Sequence, residues 1–330
     1  MAYYHPALSH RRPVFIVLLL LAPLSLLVAL GVGSVSISWQ QLWAILSGHE
    51  NDVTYSLVME LRLPRAISAF AAGGILALAG ALMQVLLRNP LADPYILGVS
   101  GGASVGALGV MLAGVGGLWV NAGAFCGALL SMLLVFSLAH GKGSWTPTRL
   151  ILTGVVVAAG WGALISFILA ISPDTNLRGM LFWLIGDLGH TDASTTGILV
   201  LILGLLLTLP MSRHLNVLTR GELKAGALGV PVKRVRVQIY FIASLLTAAA
   251  VTIVGNIGFV GLIVPHLVRL VVGNDQRILL PAAALLGASL LVIADTVART
   301  VMAPTQLPIG VITALIGVPV FLYLLQRGHR

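Results

Sequence analysis

The chain has 330 residues, of which 58% are hydrophobic and 9% charged, with a mean hydropathy of +1.03. A soluble domain carries about 25% charged residues, so the composition excludes a water-soluble enzyme and indicates an all-α polytopic membrane protein. The net charge of +9 would suit nucleic acid, but in a membrane protein it reads as the basic bias of cytoplasmic loops, and no nucleic-acid partner is expected.

A spanning helix needs about 20 mainly apolar residues. In chain order the candidates are 14–33, 64–87, 95–114, 118–139, 149–171, 193–211, 236–255, 259–272, 278–298 and 308–326, ten in all. The first follows Arg11 and Arg12. Its apolar core is longer than that of a signal peptide and lacks a small-x-small cleavage site, so it is expected to stay as a first helix behind a tail, residues 1–13. Residues 38–47 should form an amphipathic helix on the surface, with Trp39 and Trp43 in the interfacial belt. Pro64 is placed to start the second span. The eighth span is short, and "PTQLP" (304–308) divides the ninth from the tenth, its prolines ending one helix and starting another. No polar linker interrupts the chain, which is read as one membrane domain, 1–330. Cys126 is the only cysteine and lies in an apolar run, so no disulfide framework or cysteine metal site is expected.

With the N-terminus inside, the inner segments hold Arg11, Arg12, Arg88, Lys142, Arg149, Arg213, Arg220, Lys224, Lys233, Arg234, Arg236, Arg269, Arg277, Arg327 and Arg330, fifteen of the 19 basic residues. The outer segments hold four: Arg62, Arg65, Arg178 and Arg299. That asymmetry places both termini in the cytoplasm of an inner-membrane, multi-pass protein. Arg62, Arg65 and Arg299 stand at helix ends on the side where basic residues are scarce. They could snorkel to headgroups or pair with Glu60 and Asp295. Alternatively they form a basic surface for an acidic partner outside the membrane, since guanidinium–carboxylate pairs are directional and often bidentate.

An enzyme would have to use "GVSGG" (98–102), whose G-x-S-G occurs at the nucleophile of intramembrane serine proteases. His266, in "VPHLVR", is the histidine placed to act as base for Ser100. The competing reading is close helix packing on Gly98, Gly101, Gly102 and Gly106, which the weakness of a four-residue pattern favours. "HGKGSW" (140–145) lacks the earlier glycine of a phosphate-binding loop, so the chain is not expected to hydrolyse ATP itself. Ionisable groups inside the spans are scarce, which argues against a secondary carrier. Residues 212–235 form a long basic loop. Within it, Glu222 to Leu228 should be a short helix, or half of a helix pair, ended by Gly221 on one side and by Gly229 and Pro231 on the other. A connector of this length suggests a docking element for a cytosolic partner.

"LRLPRAISAFAAGGILALAGALMQVLLRNPLADPYILGVSGGASVGA" (61–107), "GELKAGALGVP" (221–231), "GNIGFVGLIVPHLVRLVVGNDQRILLPAAALLGASLLVIADTVAR" (255–299) and "LPIGVITALIGVPVFLYLL" (307–325) resemble the iron-chelate, haem and vitamin B12 branch of ATP-binding-cassette (ABC) importer permeases. The resemblance extends from about residue 14 to the end, and it makes G-x-S-G part of a longer transporter motif. It implies a transport subunit rather than an enzyme, ten helices, and a homodimer with the pathway between its subunits. It also implies two separate cytoplasmic ATPase subunits that hold ATP and magnesium, no cofactor on this chain, and a periplasmic binding protein that delivers an iron chelate or cobalamin. By the same resemblance, Arg62, Arg65 and Arg299 would dock the binding protein. Gly221, Glu222, Ala225 and Gly229 would couple to the ATPase, and Thr146, Pro147 and Thr148 would form the cytoplasmic gate. The proline within that gate departs from the run of hydroxyl residues expected there.

Overall fold

The computed structural model describes residues 11–33, 35, 37–48, 53–140, 145–189 and 194–328; residues 1–10 of the expected tail, Lys142 and Arg330 lie outside them. The described residues contain helices and no strand. In chain order these are α1 (Arg11–Gly31), α2 (Trp39–Leu46), α3 (Val53–Ser56), α4 (Leu63–Leu86), α5 (Val99–Leu112), α6 (Leu118–Ala139), α7 (Pro147–Ile171), α8 (Asp174–Ile185), α9 (Ser194–Thr208), α10 (Ser212–Leu218), α11 (Glu222–Ala227), α12 (Val232–Val254), α13 (Val260–Val272), α14 (Gln276–Thr300) and α15 (Ile309–Gly328).

The axis of the bundle is α4. Every side chain from Ala71 to Leu86 is buried, and α14, α12, α9 and α13 pack around it. Its sequence, "AAGGILALAGAL" (71–82), is dominated by small residues. Apolar helices gain little from hiding from lipid, so they associate through van der Waals contact, and small residues let their backbones approach. A methyl group added at Gly73 would strike the carbonyl of Gly287 on α14, and one at Gly80 the carbonyl of Gly261 on α13. Sequence alone put this packing in the glycines after residue 97; in the structure it continues through the central helix.

Pro64 stands in the first turn of α4, as expected, but the helical rod begins before it. A π-helical turn, Leu57–Arg62, joins α3 to α4, and the apolar rod runs from Val53 to Leu86. Proline has no N–H to give the preceding turn. The π turn absorbs the defect by shifting the pairing register, with the Leu63 N–H bonding the carbonyl of Val58.

Among the described residues, seven helices are long and apolar enough to cross a membrane, or eight if α9 and α10 count as one span bent by 64°. That break contains Pro210. The third and eighth expected spans are shorter as helices: α5 has 14 residues and α13 has 13. At 1.5 Å per residue each covers about 20 Å of a hydrocarbon core of about 30 Å. Both begin at a residue in the left-handed region, Gly98 (φ 70°) and Phe259 (φ 71°), which separates the helix from the chain before it. The surface helix α2 forms where expected. Ser38 and Gln41 make a capping box, Leu42 and Ile45 are buried, and Trp39 and Trp43 are exposed. Sequence reading missed α8, although Pro173 followed by Asp174 is a helix-start signature.

Asp93 caps the 3-10 turn Pro94–Leu97 ahead of α5, accepting a hydrogen bond from the Tyr95 N–H at 2.7 Å. Burial pushes its carboxyl up to about 6, outweighing that bond, which pulls the other way. A carboxyl raised on folding favours the folded state at low pH, and this contribution is lost as pH rises through about 6. Asp93→Asn should therefore keep the cap and flatten the pH dependence of thermal unfolding between about 4 and 6.

Candidate functional site

The α4 helix, about 36 Å long, connects two polar loci. At its N-terminal end it meets the C-terminal ends of α1 and α14. A helix ends with unpaired carbonyls, and Arg62 serves those of α1. Its Nη1 donates to the carbonyls of Leu30 (2.8 Å) and Gly31 (3.3 Å), and its Nη2 donates to that of Val35. Arg65 holds Asp295 with two nitrogens, Nε to Oδ1 at 3.0 Å and Nη2 to Oδ1 at 2.9 Å, while its Nη1 donates to Gln306 Oε1 at 2.9 Å. Arg299 donates from Nε to the other oxygen of Asp295 at 3.0 Å and from Nη2 to the Ala29 carbonyl at 3.3 Å.

Sequence reading offered these arginines either as a basic contact surface or as partners of Glu60 and Asp295. In this chain little of their surface is free. Arg62 is 5% exposed, Arg299 is 6% exposed, and the Arg65 side chain retains 13%. They tie the ends of α1, α4 and α14 together, Arg62 through backbone carbonyls and Arg65 and Arg299 through Asp295. Of the two pairings considered for the arginines, the one with Asp295 forms, and it involves Arg65 and Arg299.

At the other end of α4 lies α11. Gly221 (φ 113°) precedes it and Gly229 (φ 78°) follows it, both in conformations that favour glycine. Together with α10 it forms the helix pair expected in the basic loop. Ala225 is fully buried and anchors the element, while Leu223 (92%) and Leu228 (69%) are exposed. Glu222 faces inward. Its Oε1 pairs with Arg236 Nη1 at 3.2 Å, at the start of α12, and with Arg88 Nη2 at 3.5 Å, just past the end of α4. The guanidinium of Arg236 lies over the Trp145 ring, 4.8 Å from its centroid. Next in sequence, Thr146 caps α7 by accepting a hydrogen bond from the Arg149 N–H at 3.3 Å, and Pro147 occupies the first helical turn.

These residues enclose a cleft of about 630 Å³ lined by Leu87, Arg88, Trp145, Thr146, Pro147, Thr148, Ile151, Glu222 and Arg236. The structure thus brings Glu222 together with the Thr146–Thr148 stretch, two features that sequence reading kept apart. The proline that looked anomalous there is a helix start, and proline is well suited to the first turn. Sequence reading missed Arg88, Arg236 and Trp145 as members of this site. A signal was available: Arg236 falls at the first position of an apolar run.

Ser100 and His266 show no catalytic pairing. Nδ1 of His266 has no hydrogen-bond partner among the described residues. The glycines around Ser100 serve packing: a methyl at Gly102 or Gly106 would collide with the Gly127 or Gly123 carbonyl of α6, and one at Gly101 would come within 2.8 Å of the Trp161 Cβ.

Residues 18–327 match the model of the FecCD transport family. The chain is similar to the hemin transport system permease protein HmuU of Yersinia pestis, with 40% identity over 325 residues, 95% of each chain. It is also similar to the cobalamin import system permease protein BtuC of Halobacterium salinarum, 45% identical over 273 residues, 82% of this chain and 73% of that one. Among solved structures it resembles an inward-facing conformation of a metal-chelate type ABC transporter. The TM-score is 0.83 and the identity 31%, covering 96% of this chain and 99% of that one.

Proposed function

This chain belongs to the FecCD transport family and is the membrane-embedded permease subunit of an ABC importer, and from that premise we propose that its cargo is a metal chelate of the ferric-siderophore, haem or cobalamin class. The relatives named for hemin and cobalamin import, and the likeness to a metal-chelate type transporter, support that class. Two copies would enclose the pathway, with a periplasmic binding protein on one side and two cytoplasmic ATPase subunits, holding ATP and magnesium, on the other. Seven long spans, one bent pair and two shorter apolar helices support ten membrane segments, and the distribution of basic residues supports cytoplasmic termini.

The observation that carries the mechanism is the cleft in which Glu222 and Thr146–Thr148 meet. ATP would close the ATPase pair and move α11 as a rigid piece, with Leu223 and Leu228 as its apolar contacts. The cleft would convey that motion to α7, changing which side of the pathway is open. The cargo is tested by screening the binding protein against haem, cobalamin and several ferric siderophores, then measuring ATP-driven uptake of whichever binds. A binding protein that takes none of them would overturn the cargo class.

At the opposite end, the partly exposed Arg65 would meet carboxylates of the binding protein, with Arg62 and Arg299 supporting it from within. Replacing Arg65 with alanine should weaken docking by about 10-fold or more at low salt, where screening is weakest. Unchanged docking affinity there would remove this residue from the contact.

A further inference from the structure

Arg236 is 6% exposed, yet among the described residues most of its hydrogen-bonding capacity finds no acceptor. Nη1 is paired with Glu222, whereas Nε and Nη2 are buried with no hydrogen-bond partner among the described residues. Buried guanidinium nitrogens without acceptors are costly, so this arrangement is not one that fold stability would select for its own sake. The planar face of the group is used instead, stacked on Trp145 at 4.8 Å.

Trp145 in turn is fixed by its surroundings. Its ring packs edge-on against Phe136 and Tyr240, at 5.9 Å in each case. The next residue, Thr146, is the cap of α7. A continuous physical connection therefore runs from Glu222 on α11, through Arg236 and Trp145, to the first turn of α7. It begins at an element anchored by Ala225 but open on its outer side, where a methyl group at Gly221, Gly226 or Gly229 would meet nothing within 4 Å. It ends beside Thr146 and Thr148, whose residues line the same cleft and whose hydroxyls could accept the unused N–H groups.

We propose that Arg236 is a positioning residue that transmits displacement of α11 to the first turn of α7. The proposal rests on the reading of α11 as the ATPase-coupling element. When Glu222 moves with α11, the guanidinium follows or is released, and its idle donors give it a second set of partners at the mouth of the cleft. A flat, permanently charged plate can keep an ion pair and a stacking contact at once, which a lysine cannot.

The test uses the full transporter, assembled with its ATPase and binding protein in a Cys126→Ser background, with labelled chains diluted into unlabelled ones. Nitroxide pairs report α11 (Ala227→Cys) and α7 (Leu152→Cys), each against Leu199→Cys on α9, which packs on the central α4. In the parent, ATP should shift both distances. In Arg236→Met, α11 should still shift while α7 stays, ATP hydrolysis should persist, and cargo moved per ATP should fall by about 2- to 30-fold. Trp145→Leu should give the same pattern, and the double variant should be no worse than either single one. Arg236→Lys, which keeps the charge without the plate, should restore only part of the loss. Trp145→Leu provides the same readout if Arg236→Met does not assemble. The proposal is overturned if α7 follows α11 in both variants, or if the two losses add independently. If α11 does not move in the parent, the coupling reading itself fails and the proposal with it.

Discussion

Glu222→Arg should leave the assembled transporter hydrolysing ATP while cargo uptake per ATP falls by about tenfold or more, equivalent to at least ~1.4 kcal/mol of coupling. Glu222 is the anion between Arg88 and Arg236, 3.5 and 3.2 Å away. A third guanidinium there would convert two attractions into two repulsions and push α11 off the ends of α4 and α12. Glu222→Gln keeps a side-chain oxygen for Arg236 and should lose less. Gly229→Leu should reproduce the defect by another route, because a leucine forced to φ 78° costs about 1–2 kcal/mol. That strain would disturb the 3.0 Å hydrogen bond from the Val230 N–H to the Ala225 carbonyl, which closes α11. Paired measurements of ATP hydrolysis and uptake in proteoliposomes decide this. Normal uptake in both Glu222→Arg and Gly229→Leu would remove α11 from the mechanism.

Asp295→Ala should destabilise the chain by about 3–5 kcal/mol, the cost of leaving buried charges without their counter-ion. Asp295 is 1% exposed and is the shared acceptor for Arg65 and Arg299. Its loss strands two guanidiniums where α1, α4 and α14 join. Asp295→Asn keeps one oxygen and the volume, and should fall between the alanine variant and the parent. Thermal unfolding in detergent reads the order, and an alanine variant as stable as the parent would show that the cluster carries no structural load.

The two ends of α4 differed in how far they could be read from sequence. The helix around Glu222 was legible because its limits are local: Gly221, Gly229 and Pro231 punctuate it whatever it packs against. The burial of Arg62 and Arg299 was not, because it depends on which helix ends meet. Nothing near residue 62 indicates that the carbonyls of residues 30 and 31 will need donors. One trace does exist in the chain. Gly33 leaves space for that guanidinium, since a methyl group would sit 2.6 Å from Arg62 Nη2. Pro64 marks the first turn of α4 but not the start of the rod, for a related reason. Its usual meaning is a helix start, and only the pairing register of the preceding turn reveals a π-helical continuation. Arg236 was counted simply as one more cytoplasmic charge; its stacking on Trp145, 91 residues away in sequence, is a tertiary fact.

Under the proposed function, this permease moves cargo by coupling to ATP hydrolysed elsewhere, through α11 and the cleft at the mouth of α7. The most direct measurement is chelate uptake into proteoliposomes containing the permease and its ATPase, with loaded binding protein added outside. Accumulation should require ATP and magnesium inside and binding protein outside, and should be lost in Glu222→Arg. Accumulation driven by an ion gradient without ATP, or unaffected by Glu222→Arg, would contradict that function.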